Sequence, residues 1–278
     1  MIKKTRHYDR SDIGNQANIH FLPRKNAPAL EGVGTFFTTR QGGVSQGAYA
    51  SFNLGSHVED RPEDVAWNRA CLLASLAPHG KELAIVNQVH GRKTVLAGWQ
   101  GKTPDADAVV TNQPGIVTSV LTADCAPVLF ADVKARVVGA AHAGWRGALE
   151  GILESCMDSM KQLGARQENM AAIIGPCIGP DSYEVDEAFR NHFLQAKENK
   201  LGEECQKFFS NPQESCILAF NLPGYVQARL LHAGLGTNQI FNVELCTYAL
   251  ESLFFSHRRS VHQKQTPCGR QMAGIYLL

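Results

Sequence analysis

Two histidines and one cysteine in this 278-residue sequence stand where apolar runs stop, and their side chains suit a metal ion. His90 closes the run IVNQV and precedes Gly91. Cys125 follows Asp124 in LTADCAPVLF, and His142 follows VVGAA ahead of Gly144. Two imidazoles and a thiolate make a three-ligand Zn²⁺ set that leaves a position for water or substrate, whereas a closed structural site normally has a fourth protein ligand. Cu²⁺ is a second candidate, because imidazole and thiolate suit it also. Cys125 with His142 as its base would instead give a cysteine nucleophile, and the two readings compete because a thiolate committed to a metal attacks poorly. Spacing alone does not single out the trio. His7, His20, His57, His79, His192, His232, His257 and His262 offer the same chemistry, and a lone cysteine in an apolar strand is more often a core residue.

Composition narrows the setting in which such a site would work. Hydrophobic residues make up 44% and charged residues 19%, which describes an ordinary globular chain long enough to bury a sizeable core. With 27 basic and 26 acidic residues the net charge is +1, and the only basic stretches are Lys3, Lys4 and Arg6 and the pair Arg258–Arg259. Nucleic acid and anionic membrane are therefore not expected partners. The N-terminus turns polar where a signal would turn apolar. The apolar stretch from Gly115 to Phe130 is shorter than the ~20 residues a membrane span needs and contains Asp124. A cytoplasmic location follows by elimination. The eight cysteines are widely spaced with no CxxC pair, so reduced thiols are expected and any metal ligands must come from distant parts of the chain.

The elements that would gather them can be read from periodicity. VGTFFTTR from Val33 reads as a strand, followed by a glycine-rich loop and a helix opening at Pro62 and running through VAWNRACLLASL. LAIVNQVHG, KTVLAGW, ADAVVTN, GIVTSVLTADCAPVLFAD and ARVVGAAHAGWRG read as strands, several continuous enough to be buried on both faces. ALEGILESCMDSMKQLG predicts one helix ended by Gly164, and AAIIGPCIG another strand. SYEVDEAFRNHFLQA, NLPGYVQARLLHAGL and NVELCTYALESLFFSH predict three further helices. The expected fold is α/β (α+β), with layered mixed β-sheets flanked by helices. It forms one unit over 1–278 with residues 1–30 as an N-terminal arm, and a monomer or weak homo-oligomer is expected.

NQVHG, TADCAPVLF and GAAHAGWRG, in this order, resemble the signature segments of the YfiH-like family, also called the multicopper polyphenol oxidoreductase or laccase-domain family. The resemblance extends from FTTRQGGVS and NLGSHVEDRPEDVAWNR through IIGPCIGPDSYEV to ELCTYALESLFFSHRRS and GRQMAGI, nearly all of the chain beyond residue 30. It implies layered sheets flanked by helices, related to a toxin cysteine-hydrolase fold, and zinc held by His90, Cys125 and His142. It also implies purine nucleoside phosphorylase activity on adenosine, inosine, guanosine and S-methyl-5′-thioadenosine, with adenosine deaminase activity. A laccase-like, copper-dependent oxidation of phenols and the editing of peptidoglycan precursors are the family's other ascribed roles. The chain departs from the family pattern at SFNLG, which contains Asn53, and at FSHRR, where His257 replaces a phenol.

Purine chemistry asks for particular partners. Phosphorolysis needs positive charge and donors for phosphate, for which Arg146, Arg40, Arg258 and Arg270 are candidates, and Asn53 is a candidate substrate contact. Deamination suits a metal that lowers the pKa of its water. Asp124 is the candidate proton shuttle, or else a carboxylate orienting a histidine ligand. A laccase uses a multicopper cluster fed by many histidines, commonly in His-x-His pairs, and none occurs here, so phenol oxidation ranks below purine chemistry. A zinc-containing binding protein without turnover is the non-enzymatic alternative.

Overall fold

A computed structural model describes residue 21 and residues 30–211 and 217–278. The expected N-terminal arm lies outside the described residues, except that Phe21 bridges Thr38 and meets the ring of Phe36 edge-on. Two sheets stack face to face. The first has the order β1 (Val33–Phe37), β13 (Gln271–Leu277), β5 (Ile116–Thr122), β2 (Glu82–Ile85). The second runs β12 (Ile240–Asn242), β8 (Met170–Ile174), β6 (Ala126–Asp132), β7 (Val137–Ala143), β4 (Ala108–Thr111), β3 (Thr94–Leu96).

Period-two alternation sorts the side chains into layers. Along β6, Leu129 and Ala131 face the first sheet and meet Val120 and Ile275, while Val128 and Phe130 face away. Those outward residues pack under α3 (Ile152–Gln162) and α5 (Leu222–His232). On the far side of the first sheet, Trp67, Cys71 and Leu72 of α1 (Pro62–Ser75) cover Val117, Leu121 and Met272. The result is a helix–sheet–sheet–helix stack. A small third sheet of β9 (Glu184–Val185), β10 (Phe209–Ser210) and β11 (Leu218–Phe220) packs with α4 (Glu187–Gln195) around Phe193 and Phe220.

Three expected helices differ. The stretch from Ala148 to Gly164 is two helices, α2 (Trp145–Glu150) and α3, because Gly151 takes φ +102° between them. Buried Arg229 of α5 accepts the break by donating to the freed carbonyls of Ala148 and Leu149 at 2.7 and 2.8 Å. SYEVDEAFRNHFLQA begins as strand β9, and its helix starts only after Asp186, whose carboxylate accepts from Phe189 N at 2.8 Å. The segment NVELCTYALESLFFSH is not a helix; only its last residue opens one, α6 (His257–His262). Its backbone is committed elsewhere: Thr247 N donates to Cys177 O, and the guanidinium of Arg259 takes the carbonyls of Thr247, Tyr248 and Phe254. Tertiary hydrogen bonds outweigh a weak local preference here.

Candidate metal centre

Strand pairing assembles the cluster. Pro127 of β6 pairs with His142 of β7 and Ala126 with Ala143, so Cys125, one residue before β6, arrives beside the end of β7. His142 shares its alternation with Val138 and Ala140 and therefore points between the two sheets. His90 comes from the loop after β2, which Gln88 fastens to the end of β5 by exchanging hydrogen bonds of 2.8 Å with Leu121. One ligand atom from each of His90, Cys125 and His142 lies within 4.8 Å of the others, and the two imidazoles meet edge to face at 4.8 Å between centroids.

The centre of this arrangement is a residue that sequence reasoning missed. Asp107, fully buried ahead of β4, accepts from His142 Nδ1 at 2.8 Å through one carboxylate oxygen, while its main-chain carbonyl accepts from His142 N at 2.7 Å. The same carboxylate accepts three consecutive amides, Val89 N at 3.2 Å, His90 N at 3.0 Å and Gly91 N at 2.7 Å. One side chain thus orients both histidines, leaving His142 Nε2 to face the cluster. It also explains how His90 holds a left-handed φ of +60°, a conformation that costs a non-glycine residue about 1–3 kcal/mol. The only hint in the sequence is an acid inside ADAVV, the start of a strand that is otherwise apolar.

The electrostatics follow from burial and pairing. Burial alone would push the Cys125 thiol up, but the charge and hydrogen bonds of His142 and His90 bring it down to about 6. Burial disfavours the charged form of His142, yet Cys125 and Asp107 outweigh it and raise the imidazole to about 9. Asp107 is opposed by burial and still held below its ordinary range by His142 and the loop amides. A thiolate donor is therefore prepared at neutral pH. Gly144 supplies the space: a Cβ there would sit 2.9 Å from Cys125 Sγ and 3.3 Å from His90 Cδ2. The donor set, two imidazoles and a thiolate with a carboxylate behind one histidine, fits a zinc-type ion. Among the described residues it is the one cluster of three or more such ligands.

A cavity of about 650 Å³ opens over the cluster. Arg270 lines it, together with His57, Arg69, Lys102 and His257, whereas no acidic side chain does among the described residues. Burial first, and then Arg270, depress the basicity of both His57 and His257, so these imidazoles are neutral donors or acceptors near pH 7. The other arginine candidates point elsewhere. Arg146 stacks over Trp145 at 5.1 Å and lines a separate cavity with Arg92 and His192. Arg40 lies over Phe255 and donates to Ala50 O at 2.9 Å. Arg258 covers Tyr183, with Nη1 donating to Glu184 O at 2.7 Å.

Asp124 is in the adjacent turn at φ +93°, but both of its oxygens are engaged, by Thr247 Oγ1 and by Arg258 N at 2.7 Å each. It does not touch His142, so the carboxylate behind the histidine is Asp107. Asn53 is fully buried and is no part of the cavity wall; its Oδ1 accepts from Gly55 N at 3.0 Å and Arg270 N at 2.8 Å. Arg69 was missed because an arginine on a helix ordinarily reads as surface.

Comparison with known proteins bears on this geometry. The family model for multi-copper polyphenol oxidoreductase laccase matches residues 34–278. The chain is 36% identical to the Escherichia coli (strain K12) purine nucleoside phosphorylase YfiH over 252 residues, 90% of this chain and 96% of that protein. It is 39% identical to a purine nucleoside phosphorylase of Deinococcus radiodurans, covering 92% of this chain and 93% of that one. The fold matches Neisseria meningitidis protein NMB0706 with a TM-score of 0.80 at 35% identity, over 94% of this chain and 99% of that one. It also matches YlmD from Geobacillus stearothermophilus with a TM-score of 0.78 at 30% identity, over 94% and 99%. No helix among the described residues is long and apolar enough to cross a membrane.

Proposed function

The chain belongs to the YfiH-like family, whose model is described as multi-copper polyphenol oxidoreductase laccase, and from that premise we propose that it is a zinc-dependent purine nucleoside phosphorylase. Its substrates are adenosine, inosine, guanosine and S-methyl-5′-thioadenosine, and it also deaminates adenosine. The observation that carries this reading is a three-donor metal cluster with an open side, facing a cavity of about 650 Å³ whose wall is cationic. Small-molecule sites typically occupy about 300–1,000 Å³, which accommodates a nucleoside and an inorganic anion together. The relatives' printed activity supplies the substrate class.

His90, Cys125 and His142 would hold the ion, Asp107 fixing the tautomer of His142 and the loop of His90. The ion supplies Lewis-acid polarisation and water activation when bound. The chain's own groups then bind and orient. His57 and His257 in the cavity wall can relay a proton to a departing purine or ammonia, one ring nitrogen taking a proton from solvent or substrate as the other releases one, the role expected of Asp124, which is occupied by Thr247 and Arg258. Phenol oxidation by a multicopper centre is less well supported, since the described residues provide a single three-ligand cluster.

A second reading has a specific observation behind it. Cys125, His142 and Asp107 form a thiol–imidazole–carboxylate relay, with the His142–Asp107 link at 2.8 Å, the arrangement of a cysteine hydrolase. One set of assays separates the two. Metal-replete protein is incubated with each nucleoside, with and without phosphate, while free base, ribose 1-phosphate and ammonia are followed. Phosphate-dependent release of base supports the phosphorylase. No product from any purine nucleoside, with Cys125 alkylated freely in protein holding no metal, would overturn it in favour of the hydrolase.

A further inference from the structure

The cationic wall of the cavity is built, not incidental. Arg69 of α1 is held by the carbonyl of Leu54, which accepts from its Nε at 2.9 Å and its Nη2 at 2.7 Å. The same residue 54 donates its main-chain N–H to Arg270 O at 3.0 Å, and neighbouring Asn53 accepts from Arg270 N at 2.8 Å. Arg270 Nη1 is fixed in turn by the carbonyls of Cys268 at 2.7 Å and Gly269 at 3.0 Å. A single short segment, Asn53–Leu54, therefore sets both arginines against the cavity.

Their anchors are carbonyls, which fix direction without cancelling charge. No carboxylate pairs with either guanidinium among the described ion pairs, and no acidic side chain lines the cavity with them. Two oriented, uncompensated guanidinium groups in a concave site present the donor geometry that recognises a tetrahedral oxyanion. His57 lies beside both, exposed and lining the same cavity.

We propose that Arg69 and Arg270, with His57 beside them, form an oxyanion subsite that holds inorganic phosphate facing the metal cluster. The assignment rests on the phosphorylase reading and gives that reaction its second substrate. In the step served, a phosphate oxygen bonds to ribose C1′ and the C1′–N9 bond breaks. Its electron pair leaves with the purine, and the proton given up by phosphate ends on the base. Asn53 is then a positioning residue that acts through Arg270. Arg40, Arg146 and Arg258 take no part in phosphate binding.

The test compares wild-type holoenzyme with Arg69→Gln, Arg270→Gln and the conservative Arg69→Lys. It reads the KM for phosphate, the KM for inosine, phosphate-independent deamination of adenosine, metal content and thermal stabilisation by inorganic phosphate alone. Each Gln variant should raise the phosphate KM about tenfold or more, with partial recovery in Arg69→Lys. Metal content and inosine KM should stay near wild type, and deamination should fall far less than phosphorolysis, the Arg270→Gln variant showing only the altered pH profile that follows from relieving His57 and His257 of its charge. Unchanged phosphate KM in both Gln variants overturns the subsite. Equal loss of deamination and phosphorolysis overturns it also, because the arginines would then be supporting the fold or the metal. If wild-type enzyme performs no phosphorolysis, the phosphorylase reading fails. The subsite then stands only if phosphate stabilises wild type and not the Gln variants, and it falls if phosphate stabilises neither.

Discussion

Two cavities of similar size, about 650 Å³ over the cluster and about 540 Å³ beside α2, are both lined by arginine and histidine. They differ in what surrounds those residues. The second contains Glu150 and Glu198 beside Arg92 and Arg146, and Arg146 is spread over an indole ring. The first has no carboxylate on its wall, arginines fixed by carbonyls, and three metal donors at its floor. Arginine next to a signature histidine is therefore a poor guide to anion binding. What matters is whether neighbouring groups neutralise the charge or only aim it.

The largest effect that could break this contrast lies at the floor of the first cavity. Cys125→Ala should remove bound metal and abolish turnover while leaving the circular dichroism of the fold unchanged; retention of one equivalent of metal by elemental analysis would sink the ligand role. Asp107→Asn comes next. An amide cannot satisfy three N–H donors and the imidazole as the carboxylate does, so metal affinity should fall about 10–100-fold, measured by competition with a chromophoric chelator. Replacing the ion with cobalt adds a signature, because a loosened His142 shifts the ligand-field bands of the folded, loaded variant. An unshifted spectrum with wild-type affinity would reduce Asp107 to a structural residue.

The thiols sharpen the comparison by pH. In metal-free protein Cys125 is brought down to about 6, so its thiolate fraction grows as pH rises through about 6 and is nearly complete by neutrality. An ordinary thiol, at about 8.5, is mostly protonated there. Burial pushes Cys156 and Cys177 the other way, and they should remain unreactive across the same range. Alkylation followed by peptide mapping at pH 5, 7 and 9 should therefore mark Cys125 at 7 and spare it at 5. Added zinc should protect it at every pH where metal binds. Labelling of Cys125 only above pH 8 would contradict the histidine pairing.

Gly144 and Gly91 offer a contrast within the floor itself. A Cβ on Gly144 would lie 2.9 Å from Cys125 Sγ, whereas on Gly91 its nearest neighbours are at 3.7 Å. Overpacking of the first kind costs about 1–3 kcal/mol, so Gly144→Ala should lower metal affinity about tenfold and Gly91→Ala should leave it unchanged. Equal affinities for the two variants would mean that the cluster can shift to accommodate the extra carbon.

Much of this was legible before any coordinates. The strand carrying His142, the strands that His90 and Cys125 follow or precede, the helix starting at Pro62 and the layered α/β fold all follow from local periodicity, and the family resemblance chose the three ligands from ten histidines and eight cysteines. What stayed hidden depends on contacts between distant segments. Asp107 gains its role only because β4 pairs with β7 and the β2 loop folds back over it. Arg69 faces a cavity only because Leu54 turns it there. The segment 242–256 carries a helix-like pattern, but Arg259 and Cys177 claim its backbone groups, and no local rule anticipates that.

The smallest predicted effect tests the other cavity. Arg146 follows the His142 signature so closely in sequence that it is a first candidate for phosphate binding. In the fold, it begins a helix of only six residues and turns away from β7, its guanidinium resting on Trp145 at 5.1 Å. Losing that stacking costs about 0.5–1 kcal/mol at an exposed position, a fall of a few degrees at most in melting temperature. Arg146→Ala should accordingly keep the phosphate KM within about twofold of wild type, as expected for a site outside the reaction cavity. A tenfold rise would transfer the anion subsite to the α2 cavity, and the presence of Glu150 and Glu198 there would then have to be reconciled with an anionic ligand.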